Sequence, residues 1–299
     1  MELLSILEGI RTPFLDTIFS LITRLGEETV VMVVLCAIFW CISKRIAYII
    51  GVSYFLSGLA IQGMKICFRI DRPWIIDPTL SPVPSAIEQA TGYSFPSGHT
   101  QSAAALYGSL GSQIKQKPLK AVCFLLVILI AFSRMYLGVH TLLDVGTALF
   151  ISLLFIILTV ILLRGDAINK KRELAAALIM AAYTFLIIII AMILYSNGTI
   201  EYIYVSDCLK AAGAGVGFAA GMYFERVYIS FSVKAKNIFR QIMKFVSGIA
   251  GLLVIKEGLK LIIGTGLIVD MIRYFLITIW VTVFFPLIIK KFFSLKTSI

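Results

Sequence analysis

The sequence predicts an all-α fold: a polytopic transmembrane helix bundle of about nine spans, with the N-terminus outside and the C-terminus cytoplasmic. Three observations carry this expectation. Hydrophobic residues make up 60% of the 299 positions and charged ones 14%, and the mean hydropathy is +0.97, a composition that a soluble domain of this length does not ordinarily show. Apolar runs able to cross ~30 Å of hydrocarbon recur along the chain. Lys and Arg gather in alternate connections, as the positive-inside rule requires of a chain that crosses the bilayer repeatedly.

Taken in order, Leu3-Leu4, Ile6-Leu7, Ile10, Phe14-Leu15 and Ile18-Phe19 repeat at helical spacing, which predicts an amphipathic helix on the outer surface. Glu2 and the missing basic n-region speak against a cleaved signal peptide. Spans follow near 27–43, 46–66, 97–113, 119–137, 140–163, 174–195, 208–224, 241–264 and 269–289. The third carries Gln101, Ser102 and Gln113, which a helix buried among its neighbours tolerates. The loop from Cys67 to Phe95 is the longest outside connection, and Pro73, Pro78, Pro82 and Pro84 argue against regular structure in it. Trp74, Ile75, Ile76, Tyr93 and Phe95 could touch an acyl or prenyl chain there, but aromatics are expected at a bilayer interface and the belt reading is preferred.

Gly213, Gly217 and Gly221 line one face of the seventh span and suit close packing against another helix. Gly215-x-Gly217 is no dinucleotide fingerprint, because no strand precedes it. In the eighth span, Lys256, Glu257 and Lys260 are costly at membrane depth, and a Glu257–Lys260 pair facing the bundle is expected.

A net charge of +11 would suggest a nucleic-acid partner in a soluble chain. Its distribution excludes that reading. Lys44 and Arg45; Lys115, Lys117 and Lys120; Arg164, Lys170, Lys171 and Arg172; Arg226, Lys234, Lys236, Arg240 and Lys244; Lys290, Lys291 and Lys296 fall in or beside every second connection and mark the cytoplasmic side. Connection 196–207 has no Lys or Arg, and the N-terminal 28 residues are more acidic than basic. Membrane lipids are therefore the expected surroundings. The five cysteines are odd in number and mostly within spans, so no disulfide framework is expected. Asn197-Gly198-Thr199 is either a sequon of a eukaryotic secretory membrane or an Asn-Gly turn.

Only two histidines occur, His99 in Pro96-Ser97-Gly98-His99 and His140 between Ser133-Arg134 and Asp144. Such economy points to phosphoryl chemistry: a nucleophilic imidazole needs a carboxylate to hold its tautomer, and a second imidazole can protonate the leaving oxygen. Lys65 and Arg72 add fixed cations for a phosphate. All of these positions fall at outer ends of spans. His140 and Asp144, four apart, would share a helix face. Lys65 and Arg72, seven apart, would do so if their helix runs on to Pro73. Singly, a span-end Lys or Arg is more often an interfacial anchor, Ser-Gly before a helix is usually a cap, and His-x3-Asp is often structural. Their conjunction reverses those odds. No His, Cys and carboxylate cluster has ligand spacing, so neither a metal nor a cofactor is expected.

Lys65-x6-Arg72-Pro73, Pro96-Ser97-Gly98-His99 and Ser133-Arg134-x5-His140-x3-Asp144 resemble, in order, the three signature motifs of the type-2 phosphatidic acid phosphatase superfamily. The resemblance covers roughly residues 20 to 165. It implies a metal-independent membrane phosphatase in which His140 is the nucleophile that forms a phosphohistidine, Asp144 holds its other ring nitrogen, and His99 is the general acid. Lys65, Arg72, Arg134, the Ser97 hydroxyl and the Gly98 N–H would bind the equatorial oxygens, and Pro96 would shape the loop. Residues 1–165 then form the catalytic membrane domain with its N-terminal amphipathic helix, and 166–299 a four-span extension of unknown role.

Three functions fit this plan. The first is hydrolysis of a lipid phosphate or diphosphate, such as a polyprenyl diphosphate or phosphatidate, at the outer face of the cell membrane. The second is hydrolysis of a soluble phosphomonoester such as a sugar phosphate. The nine-span, N-outside plan is similar to that of glucose-6-phosphatase as well as of sphingosine phosphate phosphatases, and residues 133–140 look especially like the latter. The third, a transporter or lipid-moving protein, is suggested only by Lys256, Glu257, Lys260 and the extension.

Overall fold

The computed structural model describes residues 1–88, 90–163 and 169–293. Arg164 and Lys296, two of the basic residues assigned to the cytoplasmic side, lie outside the described residues. Among the described residues the chain is helical, with no β-strand. All nine apolar segments fold as helices. Among the described residues, five helical stretches are long and apolar enough to cross a membrane: Lys44–Ile76, Lys117–Tyr136, Leu142–Leu162, Lys170–Ser196 and Leu267–Phe293. The apolar helix Glu28–Cys41 is shorter.

The chain divides into two compact units, Met1–Met32 with Val52–Leu162, and Val33–Gly51 with Leu163–Ile299. In the first, the N-terminal segment is two helices rather than one, α1 (Glu2–Gly9) and α2 (Pro13–Arg24). The break has a local cause: Thr12 is extended, its hydroxyl caps the Leu15 N–H, and Pro13 takes the first helical position. Nor does the segment only lie on a surface. Leu4 and Leu7 are buried against Ala131, Met135 and Val145. Arg11 Nε donates to the Tyr136 carbonyl at 2.9 Å, a second Arg11 nitrogen donates to the Ser81 carbonyl, and the Tyr136 hydroxyl donates to Asp16 at 2.9 Å. The outward face keeps Ile6, Phe14 and Leu21 exposed, as an amphipathic helix should.

Helices α3 (Glu28–Cys41) and α4 (Lys44–Phe68) follow. α4 stops short of Pro73, with Arg69 in the left-handed region at φ 51°, so Arg72 does not share a helix face with Lys65. The loop beyond contains two single helical turns, α5 (Pro73–Ile76) and α6 (Pro84–Ile87). Here two of the four prolines start a turn instead of preventing one, since an initial N–H has no helical partner to lose. Trp74 packs against the cluster of Val83, Ala86, Tyr136, Leu137 and Val139, and Phe95 is buried, whereas Ile75 and Ile76 are exposed. The apolar belt therefore shrinks. The unit is completed by α7 (Gly98–Ala103), a wide helical turn over Ala104–Gly108, α8 (Ser109–Gln113), α9 (Lys117–Tyr136) and α10 (Leu142–Leu162).

The second unit contains α11 (Lys170–Ser196), α12 (Tyr202–Phe224), α13 (Ile238–Ile263) and α14 (Leu267–Ile279), the last continuing through α15 (Phe285–Ile288). α11 ends on Asn197, and Gly198 takes φ 68°, which is the turn reading of Asn-Gly. The α12 glycines do serve close packing. A Cβ at Gly213 would meet the Met271 backbone, one at Gly217 the Phe275 carbonyl and Thr278, and one at Gly221 Thr282. The register rises together on both helices, so α12 and α14 run parallel. Fully buried Glu225 accepts from Lys44 Nζ at 2.9 Å, from the Tyr48 hydroxyl and from the Phe231 N–H.

The expected Glu257–Lys260 pair is absent among the described residues, and both side chains are exposed. The buried side of α13 runs through Lys244, Gly248 and Leu252, four residues apart, and its next step is Lys256, which turns Glu257 about 100° away. All five cysteines are free.

Candidate active site

The site is assembled around the turn between α9 and α10. Gly138 takes φ 78°, a left-handed conformation that lets the Val139 and His140 N–H groups both return to the Arg134 carbonyl, each at 3.2 Å. His140 therefore lies before α10 rather than on it. Its partnership with Asp144 comes from a reciprocal cap instead: the Thr141 N–H donates to Asp144 Oδ2 at 2.7 Å, and the Asp144 N–H donates to Thr141 Oγ1 at 3.2 Å. That cap holds Asp144 Oδ2 3.4 Å from His140 Nδ1. Ser94, absent from every sequence expectation, donates its hydroxyl to the same oxygen at 2.7 Å.

The other ring nitrogen of His140 faces Arg72 Nη1 at 3.0 Å. A guanidinium has only hydrogens to offer, so Nε2 must be the unprotonated nitrogen and Nδ1 the one that carries the proton toward Asp144. His140 is 1% exposed. Burial first, then the charges of Arg72, Arg134 and Lys65 and the neighbouring His99, hold its pKa well below the ordinary 6.5. The imidazole is neutral at pH 7.

The Pro96–His99 loop is tied to the same turn by the Ser97 N–H, which donates to the Asp144 carbonyl at 3.2 Å. Ser97 caps α7, its hydroxyl accepting from the Thr100 N–H at 3.5 Å and from the Thr100 hydroxyl at 3.0 Å, so the bland reading of Ser-Gly holds without removing the residue from the site. The space beside Gly98 is open: a Cβ there would meet nothing within 4 Å. His99 Nε2 is buried and has no hydrogen-bond partner among the described residues.

The cations differ in how they are held. Arg72 donates to the carbonyls of Thr91 (2.8 Å), Gly92 (2.9 Å) and Val139 (3.1 Å), besides facing His140. Lys65 Nζ donates to the Tyr93 carbonyl at 2.5 Å. Arg134 is fully buried, and its Nη1 donates to Thr23 at 2.8 Å, while its Nε and Nη2 have no partner among the described residues. Unpaired guanidinium nitrogens in the interior are costly unless an anion takes them. All eight residues singled out from the sequence lie in the first unit; Arg72, Arg134 and Ser97 are bonded to His140 or Asp144, and Lys65 and His99 act on His140 through their charge. Ser94 and Thr23 were missed because neither sits in a recognisable motif.

Residues 45–168 match the sequence model of the PAP2 superfamily, and residues 209–297 match that of the PAP2 superfamily phosphatase, transmembrane extension. The chain belongs to the PAP2 superfamily. The first PAP2 match spans every candidate residue from Lys65 to Asp144; the second takes in most of the helices after α11 and makes the C-terminal part a recognised extension of these phosphatases. The PAP2 chain is thus a membrane phosphatase. It is similar to the crystal structure of LpxE from Aquifex aeolicus, at 28% identity over 53% of this chain and 93% of that chain, with a TM-score of 0.47. A comparison with curated proteins finds no match.

Proposed function

We propose that this protein hydrolyses a lipid phosphate or diphosphate at the outer face of the cell membrane, through a phosphohistidine and without a metal ion. One observation carries the reading: a neutral imidazole with an unprotonated Nε2 shares a site with a buried guanidinium that has two nitrogens without a partner among the described residues. In the first step the His140 Nε2 lone pair forms a bond to phosphorus as the bond to the leaving oxygen breaks, and His99, which burial and the Arg134, Arg72 and Lys65 charges hold neutral until a phosphate dianion binds those charges and lets it take up a proton, gives that oxygen its proton. In the second, now neutral His99 takes a proton from water, whose oxygen attacks phosphorus, and the P–N bond breaks to release phosphate. Asp144 stabilises the positive charge that His140 gains. Arg134, Lys65, Arg72, the Ser97 hydroxyl and the Gly98 N–H stabilise the equatorial oxygens, the electrostatic work on which phosphoryl transfer mostly depends.

A lipid is favoured over a soluble ester because Phe68, Ile75 and Ile76 are exposed on the segments that carry Lys65 and Arg72, giving an acyl or prenyl chain an apolar path. The nine apolar helices are read as nine spans with the N-terminus outside, which puts the site at the outer interface.

Phosphate release from purified protein tests this, with prenyl diphosphates, phosphatidates and sphingoid phosphates in a chain-length series beside sugar phosphates. Each added CH₂ that is buried contributes ~0.8 kcal/mol, so kcat/KM should climb steeply with chain length. A flat profile with efficient sugar phosphate turnover would move the assignment to soluble phosphomonoesters. Activity lost to a chelator and restored by one divalent ion would refute the metal-free step.

A further inference from the structure

The end of α2 reaches the site from outside the matched region of residues 45–168. Thr23 is 2% exposed, and its hydroxyl accepts the Arg134 Nη1 hydrogen at 2.8 Å. Three residues on, Gly26 packs so tightly that a Cβ would lie 2.9 Å from Ile130 Cγ2 and 3.0 Å from the His99 carbonyl oxygen. Leu25 is fixed by the Tyr107 hydroxyl, which donates to its carbonyl at 3.1 Å. Glu27 follows, with one buried carboxylate oxygen that makes no hydrogen bond among the described residues.

A guanidinium is a rigid plane, so holding one nitrogen fixes where the others point. With Nη1 committed to Thr23, the unpartnered Nε and Nη2 form the side-on edge of the plane, the edge that can grip two oxygens of one phosphoryl group. Without Thr23, Arg134 could turn about its last torsion and present that edge elsewhere.

We propose that Thr23 is a positioning residue of the phosphate site, orienting Arg134 so that its Nε/Nη2 edge meets the phosphoryl oxygens. This rests on the reading that Arg134 binds the phosphoryl group. Thr23→Val keeps the shape and removes the acceptor; Thr23→Ala does the same at smaller volume should valine not be accommodated; Thr23→Ser keeps the acceptor. Purified variants are compared by para-nitrophenyl phosphate hydrolysis and by inhibition with orthovanadate. Loss of one oriented, charge-assisted contact should lower kcat/KM and weaken orthovanadate by about tenfold to a hundredfold in Thr23→Val, with Thr23→Ser near the parent.

In an Arg134→Lys background, where there is no planar fork to orient, Thr23→Val should change little further. Equal losses in both backgrounds, no loss in the parent background, or failure of serine to restore function in a protein that melts normally would each overturn the proposal. An Arg134→Lys protein as active as the parent would instead overturn the role of Arg134 itself.

Discussion

Replacing Asp144 by Asn tests how the nucleophile is held. Three donors converge on Asp144 Oδ2: the Ser94 hydroxyl and the Thr141 N–H at 2.7 Å each, and His140 Nδ1 at 3.4 Å. An Asn side chain could enter either way round, but the Thr141 backbone N–H can only donate, so the amide oxygen must occupy the Oδ2 position and the amide NH₂ must take the other. His140 then keeps its proton on Nδ1 and its lone pair on Nε2. What Asp144→Asn removes is charge. A hydrogen bond to a charged acceptor is worth ~1.5–3 kcal/mol against ~0.5–1.5 for a neutral one, a difference of about 1 kcal/mol for each of two good bonds and less for the long one. The Ser94 and Thr141 bonds are the same before and during the reaction, so their weakening lowers stability; only the His140 contact strengthens as the ring turns cationic, and losing ~1.5–3 kcal/mol there corresponds to about tenfold to a hundredfold in kcat. Asp144→Ala also frees Nδ1 and removes the reciprocal cap, so it should lose at least about a thousandfold, with ~0.5–2 kcal/mol of stability. Steady-state phosphate release with the best substrate of the panel gives both values. An Asn variant as poor as the Ala variant would refute tautomer control by the Thr141 N–H, and one within a few-fold of the parent would refute a role for the charge.

The lowered pKa of His140 has a consequence for stability: the unfolded chain takes up a proton below pH 6.5 that the folded chain refuses. Thermal unfolding in detergent should be insensitive to this group above that pH and should weaken below it, by up to ~1.4 kcal/mol per pH unit, with the slope reduced in a His140→Gln variant; stability rising on acidification through the same range would contradict the assignment. Gly217→Ala should cost about 1–3 kcal/mol by forcing a Cβ against the Phe275 carbonyl and Thr278, and an unchanged melting temperature would show that α12 and α14 separate freely. Single cysteines in 196–207 of an otherwise cysteine-free protein should react with an impermeant thiol reagent outside intact cells, and single cysteines at 169–172 should not; the reverse pattern would place the site in the cytoplasm.

Much of this was legible because a bilayer demands long apolar helices, and their composition announces them. Six of the eight candidate residues drew notice because phosphoryl chemistry calls for His, Asp, Lys and Arg that an apolar chain otherwise avoids, and Ser97 and Gly98 because they directly precede His99. Local geometry was less legible. His140 and Asp144 looked like neighbours on one helix, yet Thr141 caps α10 after His140 and produces the same pairing by another route. Arg72 looked continuous with Lys65, but the chain turns at Arg69. Ser94 and Thr23 are ordinary residues whose importance lies in what tertiary packing sets beside them, and no periodicity reports that. The grouping of Val33–Gly51 with the C-terminal unit is likewise invisible in chain order.

The parallel pairing of α12 with α14 also constrains how the protein is made. Gly213, Gly217 and Gly221 find their partners at Met271, Phe275, Thr278 and Thr282, on a helix that leaves the ribosome only after α13. A membrane chain delivered from its N-terminus must therefore hold α12 with its glycine face against lipid, or against a helper, until α14 arrives. Adjacent helices paired as hairpins would have no such interval. α14 closes the glycine face of α12, and premature termination after α13 would leave that small-residue face open.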